Sequence, residues 1–356
     1  MEKWNNNFTI MHIVAAIMVI LGHQFVLMGY PNLCVFDNTV HGLGVSILFL
    51  VSGFLVSQSY FRTKNNKYGC LKFLIKRISR LYPPLFLCMI LTALFLWFVS
   101  DKTYDYWISA IKYVIDNILM KPKYYIFSVF ENNPYPKAVN GSLWTLPFEL
   151  ACYFLVVVVL KIYYFIETHT KNLKFVINRT ICICFWALIL LALSTFDTLK
   201  YLNIIKKPIM FYGLNWLNIT NLIIWFFWGV AISSLKNDKI INIQSAIMLL
   251  IAYICCTPTV KHVLEPYVIG YLVISFCLIE KPIFANIKRD ICYGLYLYAF
   301  PIQQLIIYIF YVKFHLQLNV YVYFLVSVTI TWLFAEMSYY FIENRSTIRK
   351  LKNKKH

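Results

Sequence analysis

The stretch Lys67-Tyr-Gly-Cys-Leu-Lys-Phe-Leu-Ile-Lys-Arg-Ile-Ser-Arg-Leu-Tyr-Pro-Pro84 contains five basic residues and no acidic residue, and it leads directly into the apolar segment 81–100. A basic cluster at the mouth of a membrane helix marks the cytoplasmic side and attracts phosphate. Arg77 and Arg80 are three residues apart, so on a helix they share one face and can hold an anion together. Alternatively, the cluster is only an anchor whose side chains reach lipid headgroups.

The composition of the whole chain indicates an integral membrane protein. Of its 356 residues, 60% are hydrophobic and only 13% are charged. Soluble domains are about half apolar and about a quarter charged, so a soluble fold is excluded for most of the length. The net charge of +18 does not indicate nucleic-acid binding, because the basic residues occur in short loops between apolar segments.

The ten cysteines suggest neither a disulfide framework nor a metal site. They lie mostly inside apolar segments and form no Cys-x-x-Cys pair or His-flanked zinc spacing. We interpret them as small apolar packing residues, and we predict no metal.

The hydropathy pattern predicts an all-α, polytopic membrane bundle of about ten transmembrane helices. The first apolar segment follows a start without a basic n-region, so we expect it to be a retained helix rather than a signal peptide. The predicted spans are approximately 8–28, 40–60, 81–100, 142–166, 180–196, 211–235, 241–257, 264–279, 291–312 and 320–342.

The distribution of Lys and Arg predicts the orientation of these spans. With the N-terminus inside, the inner segments contain 23 of these residues and the outer loops contain 10. Both termini are therefore expected in the cytoplasm, in a multi-pass protein of the cytoplasmic membrane. We predict one membrane domain, 1–344, followed by a basic cytoplasmic tail, 345–356. The long outer loop 101–141 exceeds an ordinary connection, and we expect it to cap the outer face or shape a site there.

Four ionisable residues are expected at membrane depth: His12, His23, Glu149 and Glu336. Because such groups are costly in the membrane, they usually face a cavity or a partner. The two histidines are eleven residues apart, close to three helical turns, and so project from one face. At about 1.5 Å per residue, His23 and Glu149 lie roughly 22 and 20 Å above the cytoplasmic edge. His12 and Glu336 lie about 6 and 9 Å above that edge, so depth predicts the pairs His23–Glu149 and His12–Glu336.

Each of these pairs has a functional and a structural interpretation. His23 oriented by Glu149 has the arrangement of a general base that takes a hydroxyl proton. The alternative is a buried hydrogen bond with no role in chemistry. His12 with Glu336 could equally be a simple tie between two helices.

Five sequence motifs follow one another along the chain. They are Ile13-Val-Ala-Ala-Ile-Met-Val-Ile-Leu-Gly-His23, Gly44-Val-Ser-Ile-Leu-Phe-Leu-Val-Ser-Gly-Phe-Leu55, Lys76-Arg-Ile-Ser-Arg-Leu-Tyr-Pro83, Gly141-Ser-Leu-Trp-Thr-Leu-Pro-Phe-Glu149 and Tyr293-Gly-Leu-Tyr-Leu-Tyr-Ala-Phe-Pro301. Taken in this order, they resemble the membrane acyltransferase-3 family, which comprises integral-membrane O-acyltransferases that modify bacterial surface glycans. The resemblance covers about Phe8 to Asn344.

The resemblance implies transfer of an acyl group, acetyl by default, from cytoplasmic acyl-CoA to a hydroxyl of a surface polysaccharide or lipid-linked glycan. Acetyl-CoA or another acyl-CoA would be a co-substrate, with no permanently bound cofactor, and membrane lipid would surround the protein. The implied catalytic residues are His23, as base or acyl relay, and Glu149. The implied donor-binding residues are Arg77, Arg80 and His12, and the implied acceptor-binding residues are Ser142, Trp144 and Tyr153.

The chain departs from the family pattern at several positions. His12 stands where the family usually has Arg, so a cation there requires a protonated imidazole, with Glu336 as its expected partner. Ser46 replaces a frequent Asp, Ala299 replaces a frequent His, and the ending Phe341-Ile-Glu-Asn344 lacks a common Pro. These departures affect the predicted polar site around His12 and Glu336 more than they affect the assignment of His23.

Two other classes of function fit a polytopic chain with polar intramembrane residues. One is a transporter or flippase for a lipid-linked glycan, although the chain shows no internal repeat of the kind on which many transporters are built. The other is a glycan polymerase, which would be expected to have functional arginines in its outer loops, whereas 101–141 contains none. Binding of acyl-CoA separates an acyltransferase from both.

Overall fold

The computed structural model describes residues 7–35, 38–63, 68–173, 175–207, 210–211, 214–235, 241–279 and 289–343. Within these ranges the chain is almost entirely helical, which confirms the predicted all-α class. The only strands described are two short hairpins, β1–β2 (Cys34–Val35, Asn38–Thr39) and β3–β4 (Met210–Phe211, Leu214–Asn215). The helices are α1 (Phe8–Leu27), α2 (Val40–Thr63), α3 (Gly69–Leu96), α4 (Tyr104–Ile118), α5 (Leu146–His169), α6 (Phe175–Tyr201), α7 (Thr220–Ser234), α8 (Ile243–Ile254), α9 (Pro258–Cys277), α10 (Cys292–Ile307) and α11 (Val320–Ser338).

Eight helical segments in the described ranges are long and apolar enough to cross a membrane. Two shorter apolar helices, α7 and α8, occupy the predicted spans 211–235 and 241–257. The total of ten spans and the cytoplasmic position of both termini remain predictions, and the tail 345–356 lies outside the described residues. The eight segments are Phe8–Leu27, Val40–Thr63, Gly69–Leu96, Gly141–His169, Ile177–Tyr201, Pro258–Cys277, Cys292–Lys313 and Val320–Ile342.

Helix α3 begins earlier than the apolar segment suggested. The predicted span starts at residue 81, whereas the helix starts at Gly69 and includes the basic stretch. Arg77 and Arg80 therefore lie on one continuous helix, three residues apart, as the spacing predicted. Pro83 and Pro84 lie inside this helix.

The long loop 101–141 contains a helix that the sequence analysis missed. Helix α4 buries Tyr106, Ala110, Tyr113 and Asn117, which recur at the spacing of one helical face. The hydroxyl of Tyr106 donates to the carbonyl of Ala93 on α3. A helix that is apolar on only one side gives no hydropathy signal for a span, which is why it was assigned to the loop.

Contacts divide the chain into two compact units. The first unit consists of Met1–Met11, Ser46–Lys76 and Phe148–Asn286. The second unit consists of His12–Val45, Arg77–Pro147 and Ile287–His356.

Helix α10 forms the core of the second unit. Fourteen of its 16 residues are buried. The amide of Gln303 donates to the carbonyl of Ile20 on α1 at 2.8 Å, and Tyr293 donates to the carbonyl of Leu81 on α3 at 2.9 Å. Gly294 allows α10 to approach α11 at Ala335, since a Cβ at this glycine would lie 2.9 Å from Cα of Ala335. Three helices thus pack against α10.

Helix α1 ends in a Schellman motif that leads the chain toward α2. Gly29 adopts a φ of 77°, in the left-handed region that glycine enters without cost. The N–H of Gly29 bonds the carbonyl of Val26, and the N–H of Tyr30 bonds that of Phe25. These two bonds satisfy carbonyls that the end of the helix would otherwise leave unpaired.

Two glycines bring α2 and α7 into close contact in the first unit. A Cβ at Gly53 would lie 2.0 Å from the carbonyl oxygen of Phe226, and a Cβ at Gly229 would lie 2.1 Å from that of Leu50. Small residues at helix crossings are typical of membrane bundles, where close van der Waals packing replaces the hydrophobic effect.

We expect Gly53→Ala to destabilise the protein strongly, because its methyl group would overlap the backbone of α7. The matched control is Gly29→Ala, whose added Cβ meets no atom within 4 Å. Gly29→Ala should lower the free energy of unfolding by only about 1–2 kcal/mol, the penalty for placing an alanine in the left-handed backbone region. Thermal unfolding of both variants in detergent checks this. A midpoint for Gly53→Ala at or above that of Gly29→Ala would contradict the close packing.

Candidate active site

The carboxylate of Asp290 joins three elements of the second unit. Its Oδ2 atom accepts from Arg80 Nη2 on α3 at 2.8 Å and lies 3.2 Å from His12 Nδ1 on α1. Its Oδ1 atom accepts from the backbone N–H of Cys292, at the start of α10, at 3.3 Å. His12 is buried, whereas the Arg80 side chain is 41% exposed and remains accessible.

The surroundings of Asp290 keep it ionised. Burial alone would raise the pKa of this carboxyl, but the charge and hydrogen bond of His12 and the guanidinium of Arg80 hold the pKa well below its usual range. An ionised carboxylate can only accept hydrogen bonds, so His12 Nδ1 carries the proton that points at Asp290. The cluster therefore presents Arg80 as a fixed cation.

The expected pair His12–Glu336 is wrong. His12 bonds Asp290, and Glu336 Oε2 is instead 3.1 Å from Nη1 of Arg289, whose side chain is 62% exposed. The depth estimate considered only ionisable groups inside predicted spans, and Asp290 lies just before the span predicted at 291. The basic–acidic pair Arg289-Asp290 directly before the Tyr293 motif was the signal available in the sequence.

His23 lies in an aromatic environment near the other end of α1. Its ring centroid is 5.2 Å from that of His41, in the first turn of α2, and 5.3 Å from that of Phe300 on α10. Gly22 makes the approach of His41 possible, because a Cβ there would lie 2.6 Å from the backbone nitrogen of His41. The sequence analysis identified His23 but missed His41.

Three side chains in this region each have a buried polar atom without a hydrogen-bond partner within the described ranges, and Gln24 and Gln303 beside them also have one. The three are Nδ1 of His23, Nδ1 of His41 and Oγ of Ser142. A buried polar atom without a partner costs about 1–3 kcal/mol, so such atoms are rare in stable structures and cluster at functional sites.

The Gly141–Thr145 turn lies close to His23 because both contact Phe300. A Cβ at Gly141 would lie 2.7 Å from Cε2 of Phe300, so the turn rests directly on that ring. Asn140 caps the turn by accepting from the N–H of Ser142, and its own amide donates to Leu297 of α10 at 3.0 Å. Tyr296 also donates to the carbonyl of Ser142 at 2.9 Å. The motif that contains Ser142 and Trp144 is thus fixed to α10.

Glu149 and Tyr153 contact each other on α5. The hydroxyl of Tyr153 donates to Glu149 Oε1, one helical turn away. Both residues belong to the first unit, whereas His23 belongs to the second. The pairing of His23 with Glu149 stays a prediction.

Comparison with known proteins identifies the family. Residues 5–336 match the sequence profile described as "Acyltransferase domain". The chain belongs to this acyltransferase family. The family resemblance inferred from the five motifs is therefore confirmed, and membership decides against the transporter and polymerase alternatives.

This acyltransferase is similar in sequence to two named proteins. It is 28% identical over 312 residues to a protein named "O-acetyl transferase" from Shigella phage Sf6, covering 85% of the chain and 86% of the relative. It is 31% identical over 170 residues to "Nodulation protein 10" of Rhizobium leguminosarum bv. viciae, covering 44% of the chain and 45% of that relative. No solved structure matches.

A buried amide network fixes the His23 end of α1 in the acyltransferase. The side-chain N–H groups of Gln303 donate to the carbonyl of Ile20 at 2.8 Å and to Oε1 of Gln24 at 2.9 Å. Ser327 of α11 donates to the same Gln24 oxygen at 3.2 Å. All three polar side chains are fully buried. Because His23 directly precedes Gln24, this network restricts its position.

Loop 101–141 is attached to Gln304, the residue of α10 that follows Gln303. Gln304 donates to the carbonyls of Tyr135 and Ala138 at 2.9 and 2.8 Å, and its own side-chain oxygen accepts from Asn133 at 2.8 Å. The loop therefore packs on the helix that carries Phe300. The expectation that it caps the outer face or shapes a site there stays a prediction.

We expect Asp290→Asn to lower the free energy of unfolding, because it removes the charge that holds His12 and Arg80. Glu336→Gln is the matched control, since its exposed ion pair should contribute about 1 kcal/mol or less. The folded pKa of Asp290 is below the unfolded value of about 3.9, so its stabilising effect is present above that pH and is lost as the pH falls.

Thermal unfolding of wild type and both variants across pH tests this expectation. The difference between wild type and Asp290→Asn should be full at neutral pH and should shrink below about pH 4. A constant difference across that range would mean that the charge of Asp290 is not what stabilises the cluster.

Proposed function

We propose that this acyltransferase moves an acyl group, acetyl by default, from cytoplasmic acyl-CoA to a hydroxyl of a cell-envelope or extracellular polysaccharide. A lipid-linked glycan is an equivalent acceptor. The observation that supports this most directly is that α1 carries His12, bound in the Asp290 cluster, and His23, beside the Gly141–Thr145 turn. One helix thus connects a cationic site with a second site that contains a base.

The similarity to the phage protein supports acetyl as the acyl group and a hydroxyl oxygen as its acceptor. The phage protein is named for transfer of acetyl to oxygen, and the similarity extends over 86% of its length. We infer the same class of reaction here, with ten spans, both termini in the cytoplasm, and a position in the cytoplasmic membrane surrounded by lipid.

Arg77 and Arg80 are proposed to bind the phosphates of acyl-CoA. Guanidinium groups form charge-assisted, often bidentate hydrogen bonds with phosphate. Asp290 accepts from Arg80 Nη2 and so orients a guanidinium group that has five N–H donors in total. His12, which contacts the same carboxylate oxygen as Arg80, completes the cluster where the family usually has an arginine.

The distance along α1 is compatible with an extended pantetheine arm between the two sites. Eleven residues separate His12 from His23, which corresponds to a rise of about 16 Å. With phosphates at the basic end, the thioester would reach the level of His23.

At that level, His23 is proposed to act as the general base. It takes the proton of the acceptor hydroxyl while the hydroxyl oxygen bonds to the acyl carbon and the carbon–sulfur bond breaks; the CoA sulfur then takes up a proton. Glu149 is proposed to orient the imidazole. An acyl relay through the His23 ring is the alternative form of the same chemistry.

Ser142, Trp144 and Tyr153 are proposed to contact the acceptor. The Oγ atom of Ser142 is buried and has a free hydrogen-bonding capacity within the described ranges. An indole ring offers a sugar an apolar face together with a polar edge. Tyr153 already bonds the proposed orienting carboxylate, Glu149.

The test is release of CoA thiol from acetyl-CoA by the purified protein in detergent, through hydrolysis or through transfer of the acetyl group to an added glycan, with binding of labelled acetyl-CoA measured in parallel. We expect Arg77→Ala/Arg80→Ala to weaken donor binding about tenfold or more, because charge-assisted bonds are lost. His23→Ala should still bind the donor but lose turnover by roughly a hundredfold or more. Lys161→Ala/Lys171→Ala, which removes the same number of charges at two exposed positions of another region, is the control for binding. Wild type without affinity for acyl-CoA, or His23→Ala with full turnover, would refute the proposal.

A further inference from the structure

We propose that His41 is the proton partner of His23: the two imidazoles share the proton that leaves the acceptor hydroxyl. This inference rests on the proposed function and adds a residue that neither the motifs nor the family resemblance identified. His41 acts through His23, so it is a positioning and proton-sharing residue.

The rings of His23 and His41 lie side by side because α1 and the start of α2 pack closely at Gly22. His23 lies in the last two turns of α1, and His41 lies in the first turn of α2. The absence of a side chain at Gly22 lets the His41 backbone and ring pack against α1, with Nδ1 of His41 only 2.9 Å from the position of a Cβ at Gly22. A bulkier residue would force the rings apart.

The unsatisfied atoms of the two rings are the same atom type. Both Nδ1 atoms are buried and have no hydrogen-bond partner in the described part of the chain. The ring centroids are 5.2 Å apart, and the terminal torsion of histidine is broad. A rotation of the His23 ring can therefore bring its Nδ1 atom toward Nδ1 of His41 without movement of either helix, while His41 keeps its contact with Thr39.

Thr39 can stabilise the tautomer of His41 that this exchange needs. Its Oγ1 atom accepts from the backbone N–H of Gly42 at 3.1 Å and lies 3.4 Å from Nε2 of His41. A hydroxyl oxygen has two lone pairs, so it can also accept from His41 Nε2–H. Nδ1 of His41 is then the unprotonated acceptor. The N-terminal position on α2 also favours a neutral His41, since the helix dipole opposes positive charge there.

The proton balance of the reaction explains why a partner is useful. When the hydroxyl oxygen bonds to the acyl carbon, its proton moves to His23 and the carbon–sulfur bond breaks. A lone buried imidazolium is costly, whereas Nδ1–H of His23 donating to Nδ1 of His41 is a charge-assisted bond of roughly twice the ordinary strength. Two adjacent cations would repel each other, so the pair holds one added proton, which then passes to the CoA sulfur.

The test compares His41→Gln with wild type and with His169→Gln in the release of thiol from acetyl-CoA by the full chain in detergent. His169 is exposed and bonds a carbonyl of its own helix, so its substitution should leave the rate unchanged. We expect His41→Gln to lower kcat by roughly tenfold to a hundredfold, while the Kd for acetyl-CoA stays within about twofold. Added imidazole should restore part of the rate of His41→Gly, which a purely structural role would not permit.

The outcomes separate this inference from the proposed function. If wild type releases no thiol, the proposed function fails. If wild type is active, His23→Ala is inactive and His41→Gln keeps wild-type kcat, only the role of His41 is overturned. Loss of turnover in both His41 variants together with lost acetyl-CoA binding and no effect of imidazole would assign His41 a structural role. His41→Asn provides the same comparison if His41→Gln does not fold.

Discussion

The ionised carboxylate of Asp290 is the interaction on which the arrangement of the second unit depends. It attracts a guanidinium from α3 and an imidazole from α1 at the point where α10 begins. In a setting of low dielectric constant, such a charge is stable only while both partners remain in place. The carboxylate therefore sets the register of α1, α3 and α10 at one end, and these helices leave that end in parallel.

The far end of the same helix is held by neutral groups. Two adjacent glutamines on α10 bond α1 on one side and loop 101–141 on the other. Between the charged end and the amide end lies Phe300, which contacts both His23 and the Gly141 turn. The position of the Phe300 ring is well defined because α10, which carries it, is held at both ends. The chemistry proposed for His23 is thus supported by contacts that take no part in it.

Much of this architecture could be predicted from sequence because it follows from local pattern. Hydropathy identified the membrane helices, and the spacing of Arg77 and Arg80 placed them together on α3. The locations of His41 and Asp290 could not be predicted in this way, since each depends on which helices are neighbours. Asp290 also lies just outside a predicted span. Only charged residues inside the spans, where desolvation is costly, were singled out as candidates. The amphipathic helix α4 was missed because half of its surface is polar.

Loop 101–141 is attached to the half of α10 that carries Phe300. Gln304 is bonded to Asn133, Tyr135 and Ala138, and Asn140 donates to Leu297, whereas none of the described hydrogen bonds joins this loop to Asp290. Under the proposed function, relatives can therefore differ in the loop that meets the glycan while they keep the cluster that binds the acyl donor. A loop exchanged between relatives would then carry its acceptor selectivity with it, provided that the asparagine and glutamine residues that hold it are kept.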